Sequence, residues 1–253
     1  MASETDCPDT GLPAETRRNV LKGSVAGLAA GLLATSHPAL GQDPAARHAP
    51  DIAIPAFDST HEPKALPFRS SSLKGLSKGL IESHWSNNYG GSVRALNETN
   101  RRLTAALADP NLPAFVYNDL KREHLVRSGS VVLHELYFDN LGGDGNPSAN
   151  LRGLIGRAFG SYDRWETEYR RVAAGLGGGS GWVVLGYNRH FGALENYWMA
   201  DHMHFPAATE PLLVIDMYEH SYHMDYGAAT ARYVDAFFAN IRWDVVSARA
   251  KTL

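Results

Sequence analysis

Four side chains from three distant parts of the sequence have the types needed to bind a redox-active metal ion: His84, His134, and the pair Asp216 and His220. Three neutral imidazoles and one carboxylate suit iron or manganese, and the chain has too few thiolates for a zinc finger. A histidine in an apolar run, such as His134, is by itself more often a core residue. Asp216 beside His220 favours a metal, because a carboxylate buried at a strand end is costly without a cation.

Two helices are predicted to position the first two histidines. Between residues 73 and 107, leucines recur at steps of three and four, which predicts a helix with His84 on its apolar face. The pair Gly90-Gly91 is expected to break or bend this helix, since each glycine costs about 1 kcal/mol there. A second helix, over residues 117–141, carries His134 among apolar neighbours.

The pattern changes from helical to β in the second half of the chain. The segment 142–150 is rich in turn residues, and residues 151–176 are mostly helical. Three strands are then predicted, at residues 182–185, 194–204 and 211–215. The third is continuously apolar, as expected for a strand buried on both faces. Asp216 follows it directly, at the point where the chain turns into the next helix.

The segment PLLVIDMYEHSYHMDYG, residues 211–227, closely resembles the metal motif D-x-W-E-H-A-Y of iron/manganese superoxide dismutases. Six further segments resemble family signatures and occur along the chain in the order that the family requires. They are LPF at 66–68, a VxxLN-like tail at 93–97, SGSVVLHELYFDNL at 128–141, FGSYDRW at 159–165, GSGW at 179–182 and YVDAFFANIRWD at 233–244. The resemblance implies an α+β fold. We expect an N-terminal helical hairpin domain, residues 66–145, and a C-terminal α/β domain, residues 146–253, with a small three-stranded antiparallel sheet.

The resemblance also implies the chemistry. His84, His134, Asp216 and His220 would hold one iron or manganese ion per subunit, with a fifth position left for solvent. The implied enzyme is a superoxide dismutase, which converts superoxide to dioxygen and hydrogen peroxide. The choice between iron and manganese stays open, because His202 stands where manganese-type members place a glutamine beside the bound solvent.

Several positions around the ligands depart from the family pattern. Ser92 stands in place of the gateway tyrosine that orders water for proton delivery, and Asn88 in place of the gateway histidine. Phe138 and Tyr218 replace two tryptophans. Loss of the gateway phenol predicts altered product inhibition or an altered pH profile, unless a chain of water molecules fills the gap.

Three further residues are assigned to the site by the resemblance. His202 is expected to hydrogen-bond the bound solvent from the end of the second strand, with His204 as its nearest rival. Trp182, in the GSGW segment, would line the site. Glu219 corresponds to the residue that reaches the partner's metal ligand in the family, so we expect a homodimer; an ordinary solvated charge is the alternative.

The first residues resemble a twin-arginine export signal. Arg17-Arg18 precedes the short apolar stretch GSVAGLAAGLLATS, which is too brief to span a bilayer. The small residues at 39–41 suit cleavage, so we expect residues 1–41 to be a signal peptide and the product to be periplasmic or secreted, without a membrane anchor. A buried N-terminal helix is the alternative. Residues 42–65 are predicted to be a linker or arm, because they are rich in proline, alanine and polar residues without periodicity.

Composition narrows the choice of function. The 253 residues, 44% of them hydrophobic, can bury a sizeable core, and the net charge of −3 gives no basic field to recruit nucleic acid. The only cysteine, Cys7, would leave with the signal. Two other functions remain: a peroxidase-like oxidoreductase on the same scaffold, or a metal-binding protein without activity. The intact ligands and Glu219 favour the dismutase, because a purely structural site needs no open position.

Overall fold

The computed structural model describes residues 54–251, all within one compact unit, His48–Leu253. The predicted signal peptide, Cys7 and the first part of the arm, residues 42–53, lie outside the described residues. Among the described helices, none is both long and apolar enough to cross a bilayer.

The N-terminal part of the described chain is a pair of long helical segments. The first runs without a break through α1 (Lys78–Ser83), a π-helix (His84–Tyr89) and α2 (Gly90–Leu107), and the second is α3 (Ala114–Asp139). The hydroxyl of Ser77 caps α1 by accepting the amide of Leu80 at 3.1 Å. The predicted break at Gly90-Gly91 is wrong, because both glycines lie inside the continuous run. Packing of α2 against α3 outweighs their low helix propensity, and the irregularity is the π-helix one turn earlier.

The C-terminal part combines helices with a small sheet. Its elements are α4 (Ala149–Phe159), α5 (Tyr162–Leu176), β1 (Trp182–Asn188), β2 (Ala193–Met199), β3 (Thr209–Asp216), a 3₁₀-helix (Glu219–Ser221), α6 (His223–Tyr226), α7 (Thr230–Phe238) and α8 (Trp243–Ala250). Within the described residues the sheet has three strands in the order β2-β1-β3, and both pairings are antiparallel. The predicted α+β fold with a small antiparallel sheet is confirmed.

The second strand is shorter than the sequence suggested. It ends at Met199, whereas the prediction continued to residue 204. The carboxylate of Asp201 accepts the amides of Met203 and His204 at 2.7 and 3.2 Å. Such a side-chain-to-backbone turn competes with the strand ladder, so β2 stops and His202 lies in a loop.

Buried contacts join the helical pair to the sheet. The amide of Asn140, just after α3, donates to the carbonyl of Val214 in β3 at 3.0 Å. The hydroxyl of Tyr233 in α7 lies 3.2 Å from that of Tyr137 in α3. All four side chains are buried. These contacts hold the inner face of α3 against the end of β3, which is where ligands from the two halves have to meet.

Candidate metal centre

Each of the four predicted ligands lies at a defined point of the fold. His84 is the first residue of the π-helix, His134 lies in α3, Asp216 is the last residue of β3 and His220 lies in the 3₁₀-helix. One ligand atom from each lies within 4.8 Å of the others. His84, His134 and Asp216 are buried, and His220 is partly exposed. The structure therefore brings together the four side chains that the sequence singled out.

The carboxylate of Asp216 is the centre of the cluster. Its Oδ2 atom lies 3.1 Å from His84 Nε2, 3.1 Å from His220 Nε2 and 3.6 Å from His134 Nε2. Its Oδ1 atom faces the other way and accepts the backbone amide of Tyr218 at 2.8 Å. One oxygen is thus held by the backbone, and the other is directed at three imidazoles.

Unpaired nitrogens show that these residues fit a metal ion. Both ring nitrogens of His84 and the Nε2 of His134 are buried and make no well-oriented hydrogen bond to a described residue, although each Nε2 faces the Oδ2 atom of Asp216. The other nitrogen of His134, Nδ1, lies 2.7 Å from the carbonyl of Ser130 and donates to it. That hydrogen bond leaves the Nε2 lone pair free to bind a cation. Buried polar groups without partners are costly, and a metal ion coordinated here would satisfy the Nε2 atoms of His84 and His134, which face Asp216.

Burial and mutual contacts keep the ligands in their metal-binding forms. Burial lowers the pKa of His134 to about 3 and also lowers the pKa of His84, so both rings are neutral near pH 7. Burial alone would raise the pKa of Asp216, but the His220 and His84 imidazoles outweigh it and hold that pKa below its ordinary value. Neutral imidazoles and an ionised carboxylate are the forms that coordinate iron and manganese.

Aromatic rings pack against His84 and His134, the two predicted ligands that lie in the helical pair. Phe138 lies 5.0 Å from His84 and 6.4 Å from His134 between ring centroids. Tyr137 lies 5.2 Å from His84, and Tyr89 lies 6.3 Å from His134. All three aromatic side chains are buried, so they fix the ligand rings by packing and keep water from them.

His202 lies beside the ligands, held by two neighbours. The indole N–H of Trp182 donates to His202 Nδ1 at 3.0 Å, so the proton of the neutral ring is on Nε2. The His202 ring stacks on Tyr218 at a centroid distance of 4.8 Å, and its centroid lies 6.0 Å from that of His134. Burial lowers the pKa of His202. A neutral ring with a free N–H donor therefore stands next to the ligand cluster.

The rival histidine is placed differently. His204 is exposed, and its Nδ1 lies 2.9 Å from the carboxylate of Asp201, in the turn that follows β2. No ring contact joins it to a ligand among the residues that the structure describes. Trp182, by contrast, is fully buried, and its ring lies edge-on to His134 at 5.2 Å.

Ser92 lies in the hydrogen-bond network behind His134. Its hydroxyl is 2.8 Å from that of Ser130, which in turn is 3.2 Å from His134 Nδ1. Both serines are buried. A tyrosine at position 92 would need space that the Ser130 contact occupies, so restoring the family's phenol would require rearrangement.

The other two predicted site residues lie at the margin. Asn88 is half-buried in the π-helix and makes no hydrogen bond to a described residue of the ligand cluster. Glu219 is exposed between Tyr218 and His220.

The sequence indicated no role for two neighbours of the site, although both lie within the family signatures at 128–141 and 233–244. A Cβ atom at Gly129 in α3 would lie 1.9 Å from the carbonyl oxygen of His202, so only glycine permits this approach. A glycine in a helical run was the one hint. Tyr233 donates to the backbone carbonyl of Asp216 at 2.7 Å, and nothing local marks it among many aromatics.

Comparison with known proteins shows which family the chain belongs to. A family model described as iron/manganese superoxide dismutases, C-terminal domain, matches residues 147–249. The chain is 48% identical over 192 residues to "Superoxide dismutase [Fe]" of Cupriavidus metallidurans, covering 75% of this chain and 95% of that one. The chain belongs to the iron/manganese superoxide dismutase family.

Two more relatives show the range of metals in this family. "Superoxide dismutase [Fe]" of Aquifex aeolicus is 37% identical over 188 residues, which cover 72% of this chain and 87% of the relative. "Superoxide dismutase [Mn]" of Mycolicibacterium smegmatis is 32% identical over 178 residues, covering 69% and 84%. The predicted family, the enzyme class and the iron or manganese cofactor of this superoxide dismutase are therefore confirmed.

Proposed function

We propose that this superoxide dismutase disproportionates superoxide at one iron or manganese ion per subunit, held by His84, His134, Asp216 and His220. The observation that carries the assignment is the buried carboxylate facing three imidazoles, two of them with unpaired nitrogens. When bound, iron or manganese supplies a one-electron couple, through which one superoxide is oxidised to dioxygen and a second is reduced to hydrogen peroxide.

The residues around the ligands set the charge of the site and orient the solvent that delivers protons. Asp216 contributes the negative charge, which balances part of the metal charge and favours the trivalent ion. His202, whose Nδ1 accepts from Trp182, offers its Nε2–H as a hydrogen-bond donor to solvent in the site. Peroxide formation takes up two protons, so a fixed N–H donor beside the ligands is placed to orient the water that delivers them. The aromatic rings keep bulk water from the ligand nitrogens.

The test is a superoxide consumption assay on protein of measured metal content. Asp216→Asn keeps the side-chain volume but removes the charge, so we expect metal and activity to be lost together. The control is Asp244→Asn, because Asp244 is an exposed carboxylate in α8. Asp216→Asn protein that retains both the metal and full activity would refute the ligand assignment.

A homodimer through Glu219 is part of the proposal. Three neighbouring side chains are exposed in the single chain: Glu219, His223 and Met224, the last of them 64% exposed. An exposed carboxylate directly before the ligand His220 suits a contact with a partner's metal ligand. Sedimentation should give a dimer for the unaltered protein and dissociation for Glu219→Ala, whereas a monomeric metal-loaded protein would refute this contact.

Export by the twin-arginine route is proposed from Arg17-Arg18 and the short apolar stretch that follows. The replacement of both arginines by lysine keeps the charge and removes the guanidinium pair. We expect the unaltered protein in the periplasmic fraction and the lysine variant in the cytoplasm. Equal distribution of the two proteins would contradict the proposed route.

A further inference from the structure

The described end of the N-terminal arm lies along the helical pair. The backbone of His61 exchanges two hydrogen bonds with the side chain of Asn97 in α2, both 2.9 Å long. The ring of Phe57 packs edge-on against His124 in α3, with centroids 6.1 Å apart. The arm reaches Lys64 directly after these contacts, so its last residues are anchored to both helices.

Lys64 makes three polar contacts, all with residues of the two helical segments that carry His84 and His134. Its carbonyl accepts the indole N–H of Trp85 at 2.9 Å, and its amide donates to the hydroxyl of Tyr89 at 2.8 Å. Its ammonium forms an ion pair with Glu135. The Tyr89 hydroxyl also donates to Glu135 at 3.0 Å, which closes the network.

The partners of Lys64 flank both helical ligands. Trp85 follows His84, and Tyr89 ends the same π-helix. Glu135 follows His134 in α3. A single residue of the arm therefore connects the helical segment of the first ligand to that of the second.

We propose that Lys64 is a positioning residue of the metal centre, which fixes the separation of the segments carrying His84 and His134. This inference rests on the proposed assignment of those two histidines as metal ligands. It gives the end of the arm a role in holding the metal site, where the sequence indicated a linker.

The other side chains that the structure describes do not fill the space beside Lys64. A cavity of about 320 Å³ is lined by Lys64, Tyr89, Glu135 and Phe138, among other residues. Because the space beside Lys64 is open, loss of its polar contacts is not compensated by apolar contact. The phenol of Tyr89 keeps its proton, since burial raises its pKa to about 12, so it can donate to Glu135 and accept from Lys64 at the same time.

The experiment compares three variants of the full-length, metal-loaded protein. Lys64→Met removes the ammonium, and Lys64→Arg restores a cation of similar reach. Lys78→Met is the matched control, because Lys78 is an exposed lysine of α1 paired with Glu82 at 3.8 Å. The readouts are the rate of iron release to excess chelator and the electron paramagnetic resonance spectrum of the ferric protein.

We expect Lys64→Met to release iron about 2-fold to 5-fold faster with a changed ferric spectrum, because it removes an ion pair whose lysine side chain is 73% exposed and leaves both backbone contacts in place. Lys64→Arg should restore the release rate and the spectrum, and Lys78→Met should change neither. If Lys64→Met releases iron at the unaltered rate with the unaltered spectrum, the inference is wrong. A lower melting temperature with both readouts unchanged would also overturn it, since that describes a structural role only.

A double-mutant cycle adds a second test, and its Tyr89→Phe arm stays measurable if Lys64→Met fails to fold. Tyr89→Phe removes one hydroxyl from the same network, and we expect it to speed iron release in the same direction. In the cycle, the two changes together should accelerate release by less than the product of their separate effects. Independent effects would contradict the network.

The two proposals fail in different ways. Unaltered protein that holds its metal but consumes no superoxide would refute the proposed activity, and the release rates would still decide the role of Lys64. Conversely, an active enzyme with a Lys64→Met release rate like that of the control would refute only the positioning role.

Discussion

Two sets of neighbours hold the ligand cluster in different ways. The packed set consists of Tyr89, Tyr137 and Phe138, whose rings lie against His84 and His134. The hydrogen-bonded set consists of Trp182, His202, Ser92 and Ser130. The packed set offers shape and exclusion of water, whereas the hydrogen-bonded set offers N–H and O–H groups that can orient solvent. The first should therefore control stability and metal retention, and the second should control turnover.

The largest effect is expected in the packed set. Phe138→Ala would enlarge the cavity that Phe138 lines and should cost about 3–5 kcal/mol of unfolding free energy. Urea unfolding of the metal-free chain measures this cost. The control is Phe115→Ala, because Phe115 lies in the same helix and is 69% exposed. A cost for Phe138→Ala no larger than that of the control would break the comparison.

Acid should weaken the metal-free protein through the ligands that the packed set buries. The folded-state pKa of His134 is lowered to about 3, below its ordinary value of 6.5. Its stabilising contribution is therefore complete above pH 6.5 and is lost as the pH falls from 6.5 toward 3. Over that range we expect about 1.4 kcal/mol of unfolding free energy to be lost per pH unit from this group.

Unfolding curves between pH 7 and pH 4.5 measure that slope. His134→Gln, which cannot take up the proton, should flatten it, and the exposed His204→Gln should leave it unchanged. Equal slopes for His134→Gln and the unaltered chain would show that His134 is not buried as a neutral ring.

Gly129 in α3 lies against His202, so a substitution there tests the hydrogen-bonded set. Gly129→Ala places a Cβ 1.9 Å from the His202 carbonyl oxygen, so the loop has to move, at a cost of about 1–3 kcal/mol. We expect the variant to retain its metal and to lose turnover per metal ion. The control is Gly153→Ala in α4, where the nearest atom to the added Cβ is the side-chain Nη1 of Arg157 at 3.7 Å. If Gly129→Ala keeps full turnover per metal, His202 does not contribute to the reaction.

The smallest effect is expected at Ser92. Ser92→Ala removes the hydroxyl that contacts Ser130 at 2.8 Å and should cost about 1 kcal/mol. It should also shift the pH profile of turnover, because Ser130 contacts His134 Nδ1. Ser128→Ala, which removes a half-buried hydroxyl of α3, is the control. A pH profile unchanged by Ser92→Ala would assign this serine to packing.

Much of the fold was predictable from local patterns. The helix and strand periods, together with the turn residues at 142–150, placed the two helices and the three strands. The prediction erred at Gly90-Gly91 and at the end of β2. At Gly90-Gly91 a tertiary interaction, the packing of α2 on α3, decided the outcome. The end of β2 was decided locally, because Asp201 accepts the amide of Met203 and forms a turn.

The sequence by itself determined the four candidate ligands and the family, because residue type and spacing along the chain carry that information. Only the tertiary structure decided which ring nitrogen of His202 carries the proton and which glycine lets α3 approach the His202 loop. It also decided which residue of the arm connects the two helical segments that carry ligands. Trp182 and His202 are 20 residues apart, and Lys64 and Glu135 are 71 apart. No local rule specifies such pairs, since each arises only when the folded backbone brings separate segments within hydrogen-bonding distance.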